Sequence, residues 1–189
     1  ARLVRGELDR LLLAERQVGD FFVHRFSGSF AKEPMTLTEE VVARAGGLII
    51  VEYTLEQGKR KQELRVTHDA ATERVLRVRE IRGGQEMAAK IEDFEAMLEK
   101  TAFFTDSNDK LLASENTTCL VSGEEVDCEK TSYSVAIGDK KATMSVTKSA
   151  SVPGRDLSGE IVDKDGKVIY RAELVDMGRG TPSGVASAE

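Results

Sequence analysis

The chain has 189 residues, with 27 basic and 33 acidic side chains and a formal net charge of -6. Hydrophobic residues make up 40% and charged residues 32%, and there is no tryptophan. This balance is typical of one soluble domain and excludes collagen-like and strongly basic nucleic-acid-binding chains. We therefore expect no nucleic-acid partner. The longest apolar runs are far shorter than the roughly 20 residues of a membrane-spanning helix, so no transmembrane segment is expected.

The first predicted element is an amphipathic helix over residues 2–16, where leucines recur at helical spacing between charged side chains. From residue 18 to residue 82 the hydrophobic period changes to two, which predicts antiparallel strands. Short polar or glycine-containing turns separate these runs at intervals of 8–12 residues. The pattern indicates a five-stranded antiparallel meander.

A helical insert is expected over residues 86–114, after the break at Gly83-Gly84. It begins with a helix over residues 86–100, followed by a second short helix around residues 108–114. One side of the first helix carries an apolar stripe, composed of Met87, Ile91, Phe94, Met97 and Leu98.

Alternating apolar residues resume over residues 117–176, which predicts further strands, and residues 178–189 are expected to form a flexible tail. The predicted fold class is therefore α+β, in a single β-rich domain over residues 1–177. Its architecture is a large curved antiparallel β-sheet or half-barrel with an N-terminal helix and a central helical insert.

Two cysteines flank a predicted hairpin turn at Gly123-Glu124. If Ser122 pairs with Glu125, then Cys119 lies opposite Cys128, at a separation that a disulfide can span. The alternative is a pair of reduced thiols in a cytosolic protein. The disulfide predicts an oxidising compartment, so that the protein is periplasmic or secreted.

Motifs for catalysis are not found: the sequence has no phosphate-binding glycine loop and no nucleophile elbow. His24 and His68 are expected to be partly buried and hydrogen-bonded. A joint site formed by both, with Glu52 or Glu80, requires that their strands be neighbours. The aspartate-containing turns lack a calcium-loop pattern and the cysteine spacing does not suit zinc, so we expect no bound metal. Because catalytic motifs are also not found, we expect no cofactor and no enzymatic activity.

Charged residues alternate along the predicted strands, and most fit cross-strand pairs on outward faces. One local surface is basic, since it combines residues 59–61 with a series of arginines, Arg74, Arg77, Arg79 and Arg82.

The apolar stripe of the helical insert has two interpretations. The helix packs on the sheet and completes an ordinary core, or the sheet and helix together enclose a space for a lipid or acyl chain. In the second case the expected inner surface consists of Val41, Val51, Tyr53, Val66, Ile91, Phe94 and Leu98.

The order of helix, antiparallel strands, helical insert and further strands over residues 2–177 resembles the periplasmic lipoprotein-carrier half-barrel family, the LolA-like fold. The resemblance implies a curved sheet that is plugged by helices and holds acyl chains. Those carriers have aromatic-rich interiors, whereas aromatic residues make up 5% of this chain. The residues that would supply such a surface are Phe21, Phe22, Phe26, Phe94, Phe103 and Phe104.

We therefore predict a non-enzymatic periplasmic or secreted binding protein for an apolar ligand such as a lipid or acyl chain. The alternative is a structural or protein-interaction module of the cell envelope, with a filled core and a protein partner. The sequence predicts no oligomeric state.

Overall fold

The structure is a computed structural model that describes residues 2–3, 13, 15–152 and 156–180, with only the backbone described at 2–3 and 107–109. Thirteen strands and one helix are assigned in these residues. The elements are β1 (Arg2–Leu3), β2 (Asp20–Ser27), β3 (Met35–Ala45), β4 (Leu48–Gln57), β5 (Arg60–Asp69), β6 (Val75–Arg82), β7 (Gln85–Ala89), α1 (Ile91–Thr101), β8 (Phe104–Thr105), β9 (Ser107–Val121), β10 (Glu124–Ile137), β11 (Lys140–Lys148), β12 (Asp156–Asp163) and β13 (Val168–Arg179).

Eleven of the strands form one antiparallel sheet, in the order β7-β6-β5-β4-β3-β2-β13-β12-β11-β10-β9. Within each half, strands that follow each other in sequence are neighbours in space. The halves meet where β13 pairs with β2, for example at Ala172 opposite Phe26. β7 and β9 are the two edges of this sheet, and β1 pairs separately with β8.

The predicted α+β class is wrong, because the described chain is mostly strand and contains a single short helix. The predicted N-terminal helix over residues 2–16 begins as strand at Arg2–Leu3. Leu13, Glu15 and Arg16 are also not helical. The other residues of this segment lie outside the described residues.

The predicted helical insert over residues 86–114 is wrong at both ends. Gly83 and Gly84 have φ angles of 56° and 79°. Two successive residues with positive φ form a tight hairpin turn, so the chain reverses into β7 instead of starting a helix. The expected second helix at residues 108–114 lies within β9. Two register shifts in the pairing of β9 with β10 disturb the two-residue alternation there, which concealed the strand.

Helix α1 lies across one face of the sheet, which we call the helix-covered face. Phe94, Met97 and Thr101 are its buried residues. The helix connects both halves of the sheet near its C-terminal end. Lys100 Nζ donates a hydrogen bond to Gln62 of β5 at 3.1 Å, and the Tyr170 hydroxyl of β13 donates to the Thr101 carbonyl at 2.8 Å.

The main hydrophobic core lies on the helix-covered face and draws on both halves of the sheet. Its fully buried members include Leu37, Val51 and Val66 from the first half, and Val135 and Ile161 from the second. Burying each such side chain contributes about 1.5–3 kcal/mol to folding. The core therefore holds the two halves of the sheet together beneath the helix.

The end of the β9–β10 hairpin folds back onto β13. Ser122 Oγ donates a hydrogen bond to Asp176 Oδ1 at 2.9 Å, and the Met177 amide donates to Ser122 Oγ at 3.1 Å. Because three strands separate β9 from β13 in the sheet, this contact requires the sheet to curl. A second hydrophobic cluster fills the space behind the contact, consisting of Val121, Cys128, Val152, Leu157 and Leu174.

The predicted disulfide is present between Cys119 and Cys128, but the predicted hairpin register is wrong. Cys119 lies opposite Val126, and Cys128 lies opposite Thr117. The turn residues are Ser122 and Gly123, with φ angles of 49° and 83°. The cysteines are therefore diagonal neighbours, with a Cα–Cα distance of 6.0 Å that falls within the range that disulfides span.

Candidate ligand-binding face

A charge pair lies within the apolar surroundings of the helix-covered face. Glu39 lies on the same face of β3 as Leu37 and Val41, so its side chain points toward the core. Arg16 Nη1 donates to Glu39 Oε2 at 3.2 Å, and each side chain is only 4% exposed. The guanidinium also lies over the Phe22 ring, 4.7 Å from its centroid.

Two donors of Arg16, Nε and Nη2, are buried and have no hydrogen-bond partner within the described residues. The segment that carries Arg16 is held to β3, because Arg44 Nη1 donates to the Leu13 carbonyl at 3.4 Å and to the Arg16 carbonyl. Unsatisfied donors at a buried charge are costly. Arg16 therefore offers hydrogen-bonding capacity to an anionic group at this position.

His68 of β5 belongs to an aromatic cluster beneath the helix. Its ring lies 6.1 Å from Tyr53 and 6.0 Å from Phe94, and the Tyr53 and Phe94 rings are 4.7 Å apart. The Glu73 carbonyl lies 3.3 Å from Nδ1 and can only accept, so Nδ1 carries the proton. The Tyr53 hydroxyl, 3.3 Å from Nε2, then donates to it.

Burial lowers the pKa of His68 below its usual value, and the positive charge of Arg16 acts in the same direction. The Glu73 carbonyl and the negative charge of Glu39 oppose this effect. The ring is therefore neutral near pH 7, which agrees with its two hydrogen bonds. A neutral, fully bonded histidine among aromatic rings acts as a core residue.

Six of the seven predicted lining residues come together on the helix-covered face. Val41, Val51, Tyr53, Val66 and Phe94 are buried in the main core. Leu98 is partly buried against that core. Ile91 differs, because its side chain is 40% exposed at the start of α1.

The phenylalanines that the LolA-like resemblance singled out are divided between different places. Phe26 and Phe94 are buried in the main core, with Phe103 partly buried beside them. Phe22 packs against the second cluster, and Phe104 is 47% exposed. The last member of the set, Phe21, alternates with Phe22 along β2 and therefore lies on the opposite face of the sheet.

A second group of rings surrounds Tyr170, which the sequence did not single out. Its ring is 4.9 Å from Phe30, 5.6 Å from Phe103 and 6.4 Å from Phe26. Together with the hydrogen bond to Thr101, these contacts fix the C-terminal end of α1. The sequence could have indicated this position, because Tyr170 alternates with the apolar residues on one face of a predicted strand.

The joint histidine site does not form, because β3 and β4 lie between the strands that carry His24 and His68. Across the described ranges, no cluster of three or more histidine, cysteine, aspartate or glutamate side chains is arranged to hold a metal ion. No helix in the described part of the chain is long and apolar enough to cross a membrane.

The buried pair of Arg16 and Glu39 was missed at the sequence level. Glu39 alternates with Leu37 and Val41 on one face of the predicted strand. This pattern could have indicated a buried ion pair, since a carboxylate that points inward requires a partner. Arg16 gave no such signal, because it lies at the end of the predicted helix over residues 2–16, where charged residues alternate with leucines.

No family model matches the chain, and no curated protein matches it. Among solved structures, it is similar to the hypothetical protein CT021 from Chlamydia trachomatis, with 11% identity, a TM-score of 0.49, and coverage of 94% of this chain and 95% of that one. It is also similar to MucB in complex with MucA(peri), with 12% identity, a TM-score of 0.44, and coverage of 96% of this chain and 57% of that one.

The MucA/MucB complex of Pseudomonas aeruginosa gives 16% identity and a TM-score of 0.41, with coverage of 93% of this chain and 55% of that one. This chain thus spans little more than half the length of those two chains. At such identities and TM-scores, the similarities leave the family and the function of this chain open.

Proposed function

We propose that the protein is a non-enzymatic, extracytoplasmic binding protein that holds an apolar ligand with an anionic head between the sheet and α1. The observation that carries this proposal is Arg16, whose buried Nε and Nη2 lack partners within the described residues beside a large apolar face. A carboxylate head would satisfy these donors by charge-assisted hydrogen bonds. Its acyl chain would displace apolar contacts between α1 and the sheet.

The lining residues of this proposed site are those predicted from the sequence. Val41, Val51, Tyr53 and Val66 form its floor, and Phe94 and Leu98 of α1 form its cover. Ile91 is exposed where α1 begins, and Met87 of the preceding strand is 46% exposed. These two side chains supply an apolar rim, where we place the entry of the chain. The LolA-like carriers offer the same combination of curved sheet and covering helix.

The extracytoplasmic location is supported by the disulfide between Cys119 and Cys128, because structural disulfides persist in oxidising compartments.

A single-tryptophan reporter tests the ligand site, since the chain contains no tryptophan of its own. Phe94→Trp places an indole under the helix, and Phe104→Trp places one at an exposed position as the matched control. Titration with dodecanoic acid should change the emission of the Phe94→Trp variant in a saturable way and leave the control unchanged. Dodecanol, which lacks the carboxylate, should bind at least about tenfold more weakly. An emission that is unaffected in both variants would contradict the proposal.

A second function, peptide binding by strand addition, is favoured by the edge strand β9. Its pairing with β10 is regular from Ala113 to Val121, so its outer edge is uninterrupted there. Leu120 is 69% exposed within this regular stretch, whereas Leu111 and Leu112, 55% and 53% exposed, lie at the register shift that ends it. Natural edge strands are usually shortened, charged or bulged to prevent pairing. An extended apolar peptide would add to β9 as a further strand.

Selection of displayed peptides against the pure protein tests this second function. Leu120→Lys, within the regular stretch of the edge, should abolish binding of the selected peptides by protecting the edge. Leu76→Lys, at another exposed leucine, serves as the control. Equal binding to both variants, or no enriched peptide, would rule out strand addition at β9.

A further inference from the structure

The face of the sheet opposite α1 carries a depression of about 320 Å³. Its floor consists of aliphatic side chains from β3 and β4, namely Val42, Ala43 and Ile50. Three arginines line it from β5 and β6, together with Thr67 and Glu86. The depression therefore combines an apolar floor with guanidinium groups.

Two bulges border this depression. The register of β3 and β4 shifts between Val41 and Ala43, so Val42 is the extra residue. The register of β5 and β6 shifts between Thr67 and His68, so Leu76 is extra there. A bulge bends its strand and redirects neighbouring side chains. Both bends therefore lie at the concave patch.

The arginines in the depression differ in their partners. Arg65 is neutralised by two carboxylates, since its Nη2 lies 2.7 Å from Glu52 and its Nη1 contacts Glu86. Arg79 lies directly opposite Arg65 in the register of β5 and β6. Directly opposed like charges destabilise a strand pair. No ion pair compensates Arg79 or the nearby Arg77 among the described residues.

Arg79 also carries an unsatisfied hydrogen-bond donor. Its Nε is buried and has no hydrogen-bond partner in the described part of the chain. Native proteins satisfy the large majority of such donors, through protein groups or ordered water. The depression thus holds a buried donor and two uncompensated positive charges next to an aliphatic floor.

We propose that this depression is a binding site for a small amphiphilic anion, with a carboxylate or phosphate head and a short alkyl chain. Arg79 Nε and the guanidinium of Arg77 would hold the head, because planar guanidinium forks match both anions. The alkyl chain would lie on Val42, Ala43 and Ile50. This site and the proposed acyl-chain site lie on opposite faces of the sheet. Ligand binding at one can therefore be tested independently of the other.

A nucleic acid fits the depression less well. Stacking of bases requires aromatic side chains, and none lines this site. The small size of the depression and its aliphatic floor favour a short alkyl anion.

Calorimetry with hexyl phosphate, hexanoate and inorganic phosphate tests the proposal on the full chain. We expect saturable binding of one or both alkyl anions, and the tighter one identifies the head group. Arg77→Gln with Arg79→Gln should weaken this binding by about tenfold or more, through the loss of charge-assisted hydrogen bonds. Arg74→Gln with Arg82→Gln removes the same charge near β6 but outside the depression, and should weaken binding less than about twofold.

A readout at Arg79 itself complements the calorimetry. The Nε–H resonance of Arg79 should shift on titration in a ¹⁵N-correlated spectrum. Arg79→Lys retains the positive charge but removes this donor, and should also weaken binding, which keeps the test valid if the double variant unfolds. Three results would overturn the proposal: no saturable binding, equal losses in both double variants, or inorganic phosphate binding as tightly as the alkyl anions.

Discussion

At the scale of single residues, the helix-covered face depends on a charge pair inside an apolar environment. Arg16 and Glu39 are both nearly inaccessible to water. Removing one member of a buried pair leaves the other charge without compensation, which costs more than the pair itself contributes. The stability of this face should therefore respond strongly to either residue.

We predict that Glu39→Gln lowers the free energy of unfolding by about 3–5 kcal/mol, as measured by urea denaturation. Glu63→Gln is the matched control, because Glu63 pairs with a lysine that is 52% exposed. Its loss should be about 0–1 kcal/mol. Replacing both members, with Arg16→Met and Glu39→Leu, should recover most of the lost stability. Equal losses in the two Gln variants would show that the buried pair has no special role.

A second prediction concerns pH. Burial lowers the pKa of His68 in the folded state below its ordinary value of 6.5, so below about pH 6.5 the unfolded chain binds more protons. Stability contributed by neutral His68 is therefore complete above that pH and declines as the pH falls. Urea denaturation at pH 7.5 and 5.5 should show a smaller decline for His68→Gln than for the unsubstituted chain. Parallel declines would contradict this assignment.

At the scale of elements, sequence patterns predicted the long regular strands and were less successful elsewhere. The alternation of Leu64, Val66 and His68 identified β5, because one side of that strand is buried. Met87 and Met97 show why the helical insert was extended too far. Both fit one helical stripe, yet Met87 lies on an exposed edge strand, while Met97 is fully buried in α1. The turn at Gly83-Gly84 makes the chain around Met87 a strand and not a helix. A helical spacing of apolar residues does not reveal such a turn.

The β9–β10 hairpin supplies a third prediction. Reducing the disulfide, or replacing Cys119 and Cys128 by serine, should lower stability by about 2–3 kcal/mol through the added freedom of the unfolded chain. Urea denaturation with and without reductant measures this difference. The double serine variant should not respond to reductant, which provides the control. An unsubstituted protein that is equally stable when reduced would contradict the expected contribution.

At the scale of the whole molecule, the sheet is completed by pairing of the last long strand with the first, β13 with β2. Local patterns do not encode this contact, because it joins segments far apart in sequence, such as Arg179 and Asp20, which are 159 residues apart. The curl that brings Ser122 to Asp176 is likewise a long-range result. The lining residues could be predicted because they share strand faces, whereas Arg16 could not, since its position depends on that tertiary arrangement.

Under the proposed function, the helix-covered face accepts an apolar ligand with an anionic head. Native mass spectrometry of delipidated protein, after incubation with a long-chain fatty acid, tests it most directly. We predict that the variant Arg77→Gln with Arg79→Gln, which lacks the second proposed anion site, forms a one-to-one complex, and that adding Arg16→Met with Glu39→Leu largely abolishes it. Protein that keeps its bare mass at every fatty acid concentration, or binds equally well without Arg16, would contradict it.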